Sequence, residues 1–316
     1  MPTARKPRRG SLQIYPRKRA SKRLHRVNFK PIFSVVKEKG LLGFVAYKVG
    51  MSTALVKDST PNVLTSKKQI AIPATILEAP NMKIFSVRFH KNSRIIKEII
   101  VSNDKELKRK LKLPKSLGKL EGKIPSSYDD VSIIAYSLPK TTSIKKTPDL
   151  IELAINADDK LEFVKSLIGK ELTLDNLAKS HLFDVRGLTI GKGTQGPVKR
   201  FGIKLRFHKS EKGVRKVGSI GPWHPARVTF RTPMAGQLGL FSRITYNLYP
   251  LTFGKNSEKD INPKSGWKNY GNIKTNYIIL KGSVQGPPKR QLLITPAFRP
   301  SKLQSKKKLE FVQLLN

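Results

Sequence analysis

Cysteine is absent from all 316 residues, which removes disulfide scaffolds, thiolate zinc sites, iron–sulfur clusters and cysteine nucleophiles together. Histidine is nearly as scarce. His25, His90, His181, His208 and His224 are scattered, with no HxxxH or histidine–carboxylate spacing, so neither a metal nor a cofactor is expected. Acids are few, 21 Asp plus Glu, and no nucleophile–base–acid arrangement can be assembled from them, so the chain does not read as an enzyme. Also missing are an apolar run long enough to span a bilayer and a long basic amphipathic helix. The first residues lack the apolar stretch and small-residue cleavage site of a secretory signal, which leads to the expectation of a cytosolic protein.

What the sequence has is positive charge. Lys plus Arg number 63, for a formal net charge of +42. A globule with so much one-signed charge repels itself, which makes a polyanion its natural partner, and nucleic acid is the foremost polyanion. The length allows one large or two ordinary domains, and 38% hydrophobic residues suffice for a core.

Residues 1–30 are basic, with no acid before Glu38, and bury too little to fold alone. A solvated tail or a localisation signal is the plain reading; an arm that orders along RNA fits the charge elsewhere better. Short β-branched and aromatic runs follow, at Gly43 to Val49, Ile70 to Leu77, Lys83 to His90, Ile95 to Val101, Val131 to Tyr136 and Leu150 to Ile155, and these predict strands. Asp104 to Leu113 has helical spacing, closed by Pro114. Between Asp158 and Ser180 a helical period places Leu161, Val164, Leu167 and Ile168 on one face, with Asp158 or Asp159 as cap and a second short helix near Leu174 to Leu177. Asn276 to Leu280 and Gln291 to Thr295 read as closing strands around a glycine–proline turn at 281–290. The expected fold is mainly β with short helices: a β-barrel over 31–185 and 251–300, a central loop over 186–250, and a basic tail over 301–316.

The central segment disobeys globular patterning. Glycines at 187, 191, 193, 196, 202, 213, 218, 221, 236 and 239 alternate with lysines and arginines, and connections in compact domains run about 4 to 6 residues, so this one should be extended and functional. Gly191-Lys192-Gly193-Thr194-Gln195-Gly196 has the GxGxxG spacing, yet Pro197, Lys199 and Arg200 follow without helical periodicity, so a dinucleotide site is set aside. A P-loop fails too, because Gly193 stands where Ser or Thr should meet magnesium. Glycines beside lysines let backbone approach phosphate closely, which suits packing into RNA. Trp223 sits between two prolines and two glycines in Gly218 to Val228. A tryptophan is more often core, but core tryptophans sit in apolar elements, so RNA contact is favoured here.

These residues also carry a resemblance. Trp223-His224-Pro225-Ala226-Arg227-Val228, then Ala235-Gly236-Gln237 and Ser242-Arg243-Ile244-Thr245-Tyr246-Asn247, resemble the signature of the large-subunit ribosomal protein L-three family, in its archaeal and eukaryotic form. Pro7 to Leu12 with Pro16 to Ala20, Gly43-Phe44 with Tyr47 to Met51, Gly191 to Arg200 and Lys281 to Arg290 resemble further blocks in collinear order, and the length is similar to the archaeal type. The resemblance implies a six-stranded barrel of the translation-protein kind on the solvent side of the subunit. It also implies an N-terminal arm and a long central loop that thread into ribosomal RNA, with the loop tip near the peptidyl transferase centre. Partners would be large-subunit RNA and neighbouring ribosomal proteins, with no membrane and no small-molecule substrate. The RNA-binding residues expected are Arg5, Lys6, Arg8, Arg9, Arg17, Lys18, Arg19 and Arg23 in the arm, and Lys192, Lys199, Arg200, Lys204, Arg215, Lys216, Trp223, His224, Arg227, Gln237 and Arg243 in or beside the loop. Lys289 and Arg290 in the late turn complete the set.

The chain departs from the family in places. Pro222 replaces a common alanine, Leu238-Gly239-Leu240-Phe241 replaces a usual Tyr-His pair, and Glu211 stands where eukaryotic members can carry a modified histidine, so that modification cannot occur. Two alternatives from other classes are an RNA-modifying enzyme, which would need a cofactor pocket or acid–base pair, and a general nucleic-acid packaging protein. Co-sedimentation with large ribosomal subunits after a high-salt wash discriminates against both.

Overall fold

The computed structural model describes residues 11–117 and 120–315. Arg5, Lys6, Arg8 and Arg9 lie outside the described residues. Two compact units emerge: one is the chain up to Lys22 with Leu188–Ser242, the other Arg23–Gly187 with the residues from Arg243 on.

The second unit is rich in strands. After the one-turn helix α1 (Lys30–Phe33) come β1 (Gly40–Leu41), β2 (Phe44–Asp58), β3 (Gln69–Ala79), β4 (Met82–Lys91), β5 (Arg94–Ile100), β6 (Asp130–Ser137) and β7 (Leu150–Asn156). These are the β-branched and aromatic runs of the sequence, whose side chains fit a half-buried pleated surface. Helix α2 (Lys160–Leu167) begins where Asp159 Oδ1 accepts the amides of Leu161 and Glu162, and it turns Val164 and Leu167 inward. Strand β8 is Phe183–Leu188. The first unit then contributes β9 (Thr194–Gln195), α3 (Pro197–Phe201) and β10 (Gly236–Gln237). Strands β11 (Ser242–Leu248), β12 (Pro250–Lys255), β13 (Asn276–Lys281) and β14 (Gln291–Pro296), helix α4 (Lys302–Ser305) and strand β15 (Leu309–Leu315) complete the chain.

One sheet runs β1-β7-β6-β4-β5. The larger runs β11-β8-β14-β2-β3-β13-β12, with β15 also on β2. Strand β2 organises the larger sheet: β3 lies along its length, while β14 pairs with Phe44 to Tyr47 and β15 with Thr53 to Asp58. Both sheets feed one core, with Phe44, Leu77, Ile278 and Leu293 from the larger and Val87, Phe89, Ile133 and Leu153 from the smaller. A second core gathers Val49, Val56, Ile76, Trp267 and Ile279.

The fold is mainly β with few short helices, as expected, but neither hydrogen-bonded path closes on itself, since β11 and β12 end the larger one. The short helix expected near Leu174 is present as a 3-10 helix, Leu174–Asn176. Three local expectations change. The segment expected to be helical from Asp104 is a short 3-10 helix, Lys105–Arg109, because only Leu107 in it is buried and Pro114 bars extension. The end of the basic arm is not free of core: Phe29 is buried, with Leu24 and Val27 packed on the same cluster. The basic tail is not a tail, since Leu309–Leu315 is a strand paired with β2.

Candidate nucleic-acid interface

Residues 188–242 contain eleven Lys and Arg and a single acid, Glu211. Residues 202–235 form neither helix nor strand. The ends of the segment expected at 186 and 250 are shorter in fact, because Arg186 and Gly187 belong to β8 and residues 242–248 to β11. Gly187 is a packing glycine, where a Cβ would lie 2.3 Å from Leu292 Cδ2.

The base of the segment is held by local pairing and one arginine. Strands β9 and β10 pair Gln195 with Gly236 and Thr194 with Gln237. A helix does follow Gly196, contrary to the reading of that block: Pro197 presets the first turn and Gly202, at φ 65°, ends it after five residues, too short a stretch to show periodicity. Arg200 spends its N–H groups on backbone carbonyls. Nη1 donates to Met234 O at 2.9 Å, Nε to Gln237 O at 3.0 Å and Nη2 to Arg17 O at 3.3 Å. Arg17 returns a bond to Arg200 O at 3.2 Å and lays its guanidinium 4.4 Å from the Phe201 ring centre and 5.2 Å from that of Tyr15. Burial, and secondarily the charge of Arg17, holds the Arg200 pKa below its ordinary value. Gln237 also turns inward, donating Nε2 to Leu238 O and Gly239 O. At φ 76°, Gly239 passes so close to Ile190 that a Cβ would lie 1.9 Å from its carbonyl oxygen, so glycine is required there.

Every residue from Gly218 to Arg231 is exposed, and Trp223 is 88% exposed, with Phe207 at 67% and Phe230 at 64%. Lys192, Lys199, Lys204, Arg215, Lys216, His224 and Arg227 are exposed too. Exposed aromatic rings and cations thus recur along one stretch of chain, with only Phe230 set edge-on to another ring, Tyr15, at 5.7 Å, a composition suited to stacking on bases and neutralising phosphates. Among the remaining expected residues, Lys18 and Arg19 are exposed. Arg243 is half-buried, its carbonyl accepting Gln285 Nε2 at 3.0 Å.

In the strand-rich unit, the turn bearing Lys289 and Arg290 is pinned on β2. Lys48 Nζ donates to Val284 O at 2.5 Å and Gly286 O at 3.0 Å, and Lys289 N–H donates to Lys48 O at 2.7 Å. Lys289 is exposed. Burial first, then the Arg23 charge, lowers the Arg290 pKa.

Three residues escaped sequence reasoning. Tyr15 and Phe201 frame Arg17, and Arg206 Nη2 donates to Val217 O and Gly218 O, bracing the approach to the exposed stretch. In sequence, Arg206 is one cation among eleven, and nothing local marks it as bracing.

The family model for ribosomal protein L3 matches residues 1–315. Among curated relatives, the large ribosomal subunit protein uL3 of Methanocaldococcus jannaschii is 41% identical over 313 residues, covering 93% of this chain and 92% of that one. The proteins of the same name from Methanococcus aeolicus, at 40% identity with the same coverages, and Methanobrevibacter smithii, at 39%, are similarly close.

Proposed function

The chain belongs to the ribosomal protein L3 family, and from that premise we propose that it binds and stabilises large-subunit ribosomal RNA, supports subunit assembly and extends its central segment toward the peptidyl transferase centre. The family is a non-enzymatic one, a structural constituent of the large subunit, so this chain acts by holding RNA rather than by catalysis. Its place is then in cytoplasmic ribosomes, among large-subunit RNA and neighbouring ribosomal proteins.

The observation that carries the reading is the central segment: eleven cations to one acid, an 88% exposed tryptophan, and a base tied by Arg200 instead of a core. A free globule gains nothing by exposing Trp223, Phe207 and Phe230 together. RNA supplies the missing surfaces, since bases stack on the rings while phosphates neutralise Lys204, Arg215, Lys216 and Arg227. Arg200 and Gln237, whose polar groups are spent on backbone, shape the segment, and the exposed cations make the contacts. The basic residues before Lys22 act as the arm, and the strand-rich unit acts as the family's barrel, its two sheets sharing one core.

Large subunits washed in high salt and sedimented should retain the full chain at one copy per particle. Loss of the chain from the subunit fraction at moderate salt would sink the proposal.

A further inference from the structure

Between the end of α4 at Ser305 and the start of β15 at Leu309 stand Lys306, Lys307 and Lys308, all exposed. Their backbone is fixed on both sides. Lys307 N–H donates to Gln304 O at 3.1 Å, Lys308 N–H to Thr60 Oγ1 at 3.0 Å and Leu309 N–H to the Tyr249 hydroxyl at 3.3 Å. Ser59 N–H donates to Lys308 O at 2.8 Å, and Leu309 then enters register with Asp58 on β2.

The three lysines border a cavity of about 740 Å³, which His181 and Tyr249 also line. Beside them lies Lys281, at the end of β13, half-buried. Its pKa is lowered first by burial and then by the Lys307 ammonium against it. Two acids lie nearby: Asp58 accepts from Thr60 N–H at 3.0 Å and Thr65 Oγ1 at 2.6 Å and offsets the charge of Lys281, and Glu310, in the lining, accepts from Ser59 Oγ at 2.8 Å. Three lysines therefore border a concave site whose lining holds one carboxylate, Glu310, while Lys281 lies behind Lys307 with Asp58 as its counter-charge. Such a cluster repels itself until an anion enters, and its fixed backbone spares the ordering cost that a mobile lysine tail would carry. The volume lies within the span of ligand sites, about 300 to 1,000 Å³. The Tyr249 hydroxyl accepts one bond and keeps its proton to donate.

We propose that this cavity is a second, preorganised RNA site that takes backbone phosphates on Lys306, Lys307 and Lys308, with the Tyr249 hydroxyl donating to a phosphate or ribose oxygen. The proposal rests on the RNA-binding reading above and adds a contact surface remote in sequence from the central segment.

The test uses the full chain with Lys306→Gln, Lys307→Gln and Lys308→Gln combined, and a fragment of large-subunit ribosomal RNA as probe. The slope of log affinity against log salt should become shallower by about 2 to 3, since each lysine–phosphate contact contributes roughly 0.7 to 0.9. In the wild-type chain, reductive methylation should label Lys306 and Lys307 when free and spare them when RNA is bound. A wild-type chain without steep salt dependence would overturn the RNA-binding reading itself. A steep wild-type slope left unchanged in the variant, with the lysines still labelled in the complex, would overturn this site alone. Equal protection by polyglutamate of matched charge would also overturn it, assigning the cavity to an acidic protein segment.

Discussion

The chain has two tryptophans, and the fold treats them in opposite ways. Trp267 is 9% exposed and packs with Val49, Ile76 and Ile279 in the second core of the strand-rich unit, whereas Trp223 is 88% exposed in the central segment. The contrast repeats with other residue types. Lys48 is buried and holds two carbonyls of the 281–290 turn, while Lys216 stands in solvent. A Cβ on Gly187 would strike Leu292, whereas one on Gly218 or Gly221 would meet nothing within 4 Å. One region satisfies its own surfaces; the other fastens only its base and leaves its tip for a partner. Stability and binding should therefore respond to different substitutions.

The largest effect should come from Phe44→Ala. Its ring is fully buried in the main core, and such truncations cost about 3 to 5 kcal/mol. Denaturant unfolding of the free chain should show that loss, and a cost below about 1 kcal/mol would mean that the two sheets do not depend on a common core. Next is Trp223→Ala, which should leave the melting temperature of the free chain unchanged. Base stacking is worth about 1 to 3 kcal/mol, so affinity for the cognate RNA, or aminoacyl-tRNA accommodation in mutant subunits, should fall by roughly fivefold or more. A melting shift with unchanged RNA affinity and accommodation would reverse the comparison and make Trp223 a packing residue. The smallest is Arg200→Ala. Its side chain is half-exposed, so the loss of its carbonyl bonds should open the base by about 1 to 2 kcal/mol, read as roughly five- to thirtyfold faster amide exchange in β9 and β10. Unfolding of the strand-rich unit should not change. Unaltered exchange would show that β9 and β10 hold the segment without Arg200.

How much of this was legible in the sequence depended on how local each signal is. The runs from Ile70, Lys83, Val131 and Gln291 became strands nearly where they were read, because β-branched and aromatic residues carry their preference with them. Asp159 as the cap of α2 was readable for the same reason, its bonds reaching only two and three residues ahead. The charge excess and the collinear blocks around Trp223 point to RNA and to the family from the sequence alone.

Other features had no local signal. Arg200 looked like one more phosphate contact, and its partners at Met234 and Gln237 lie 34 and 37 residues away. Leu24, Val27 and Phe29 are hidden in a basic run and join the core only because strands from the rest of the unit surround them.

The sequence by itself determined the charge, the residues able to form strands and the exclusion of thiol chemistry, since each follows from composition or from neighbours a few positions apart. Tertiary structure alone decided that residues 309–315 become a strand and the lysines before them a cavity wall. Leu309 pairs with Asp58 across some 250 residues, and no pattern within either segment specifies its partner; only closing that long loop onto the free edge of β2, beyond the end of β14, satisfies the backbone groups of both.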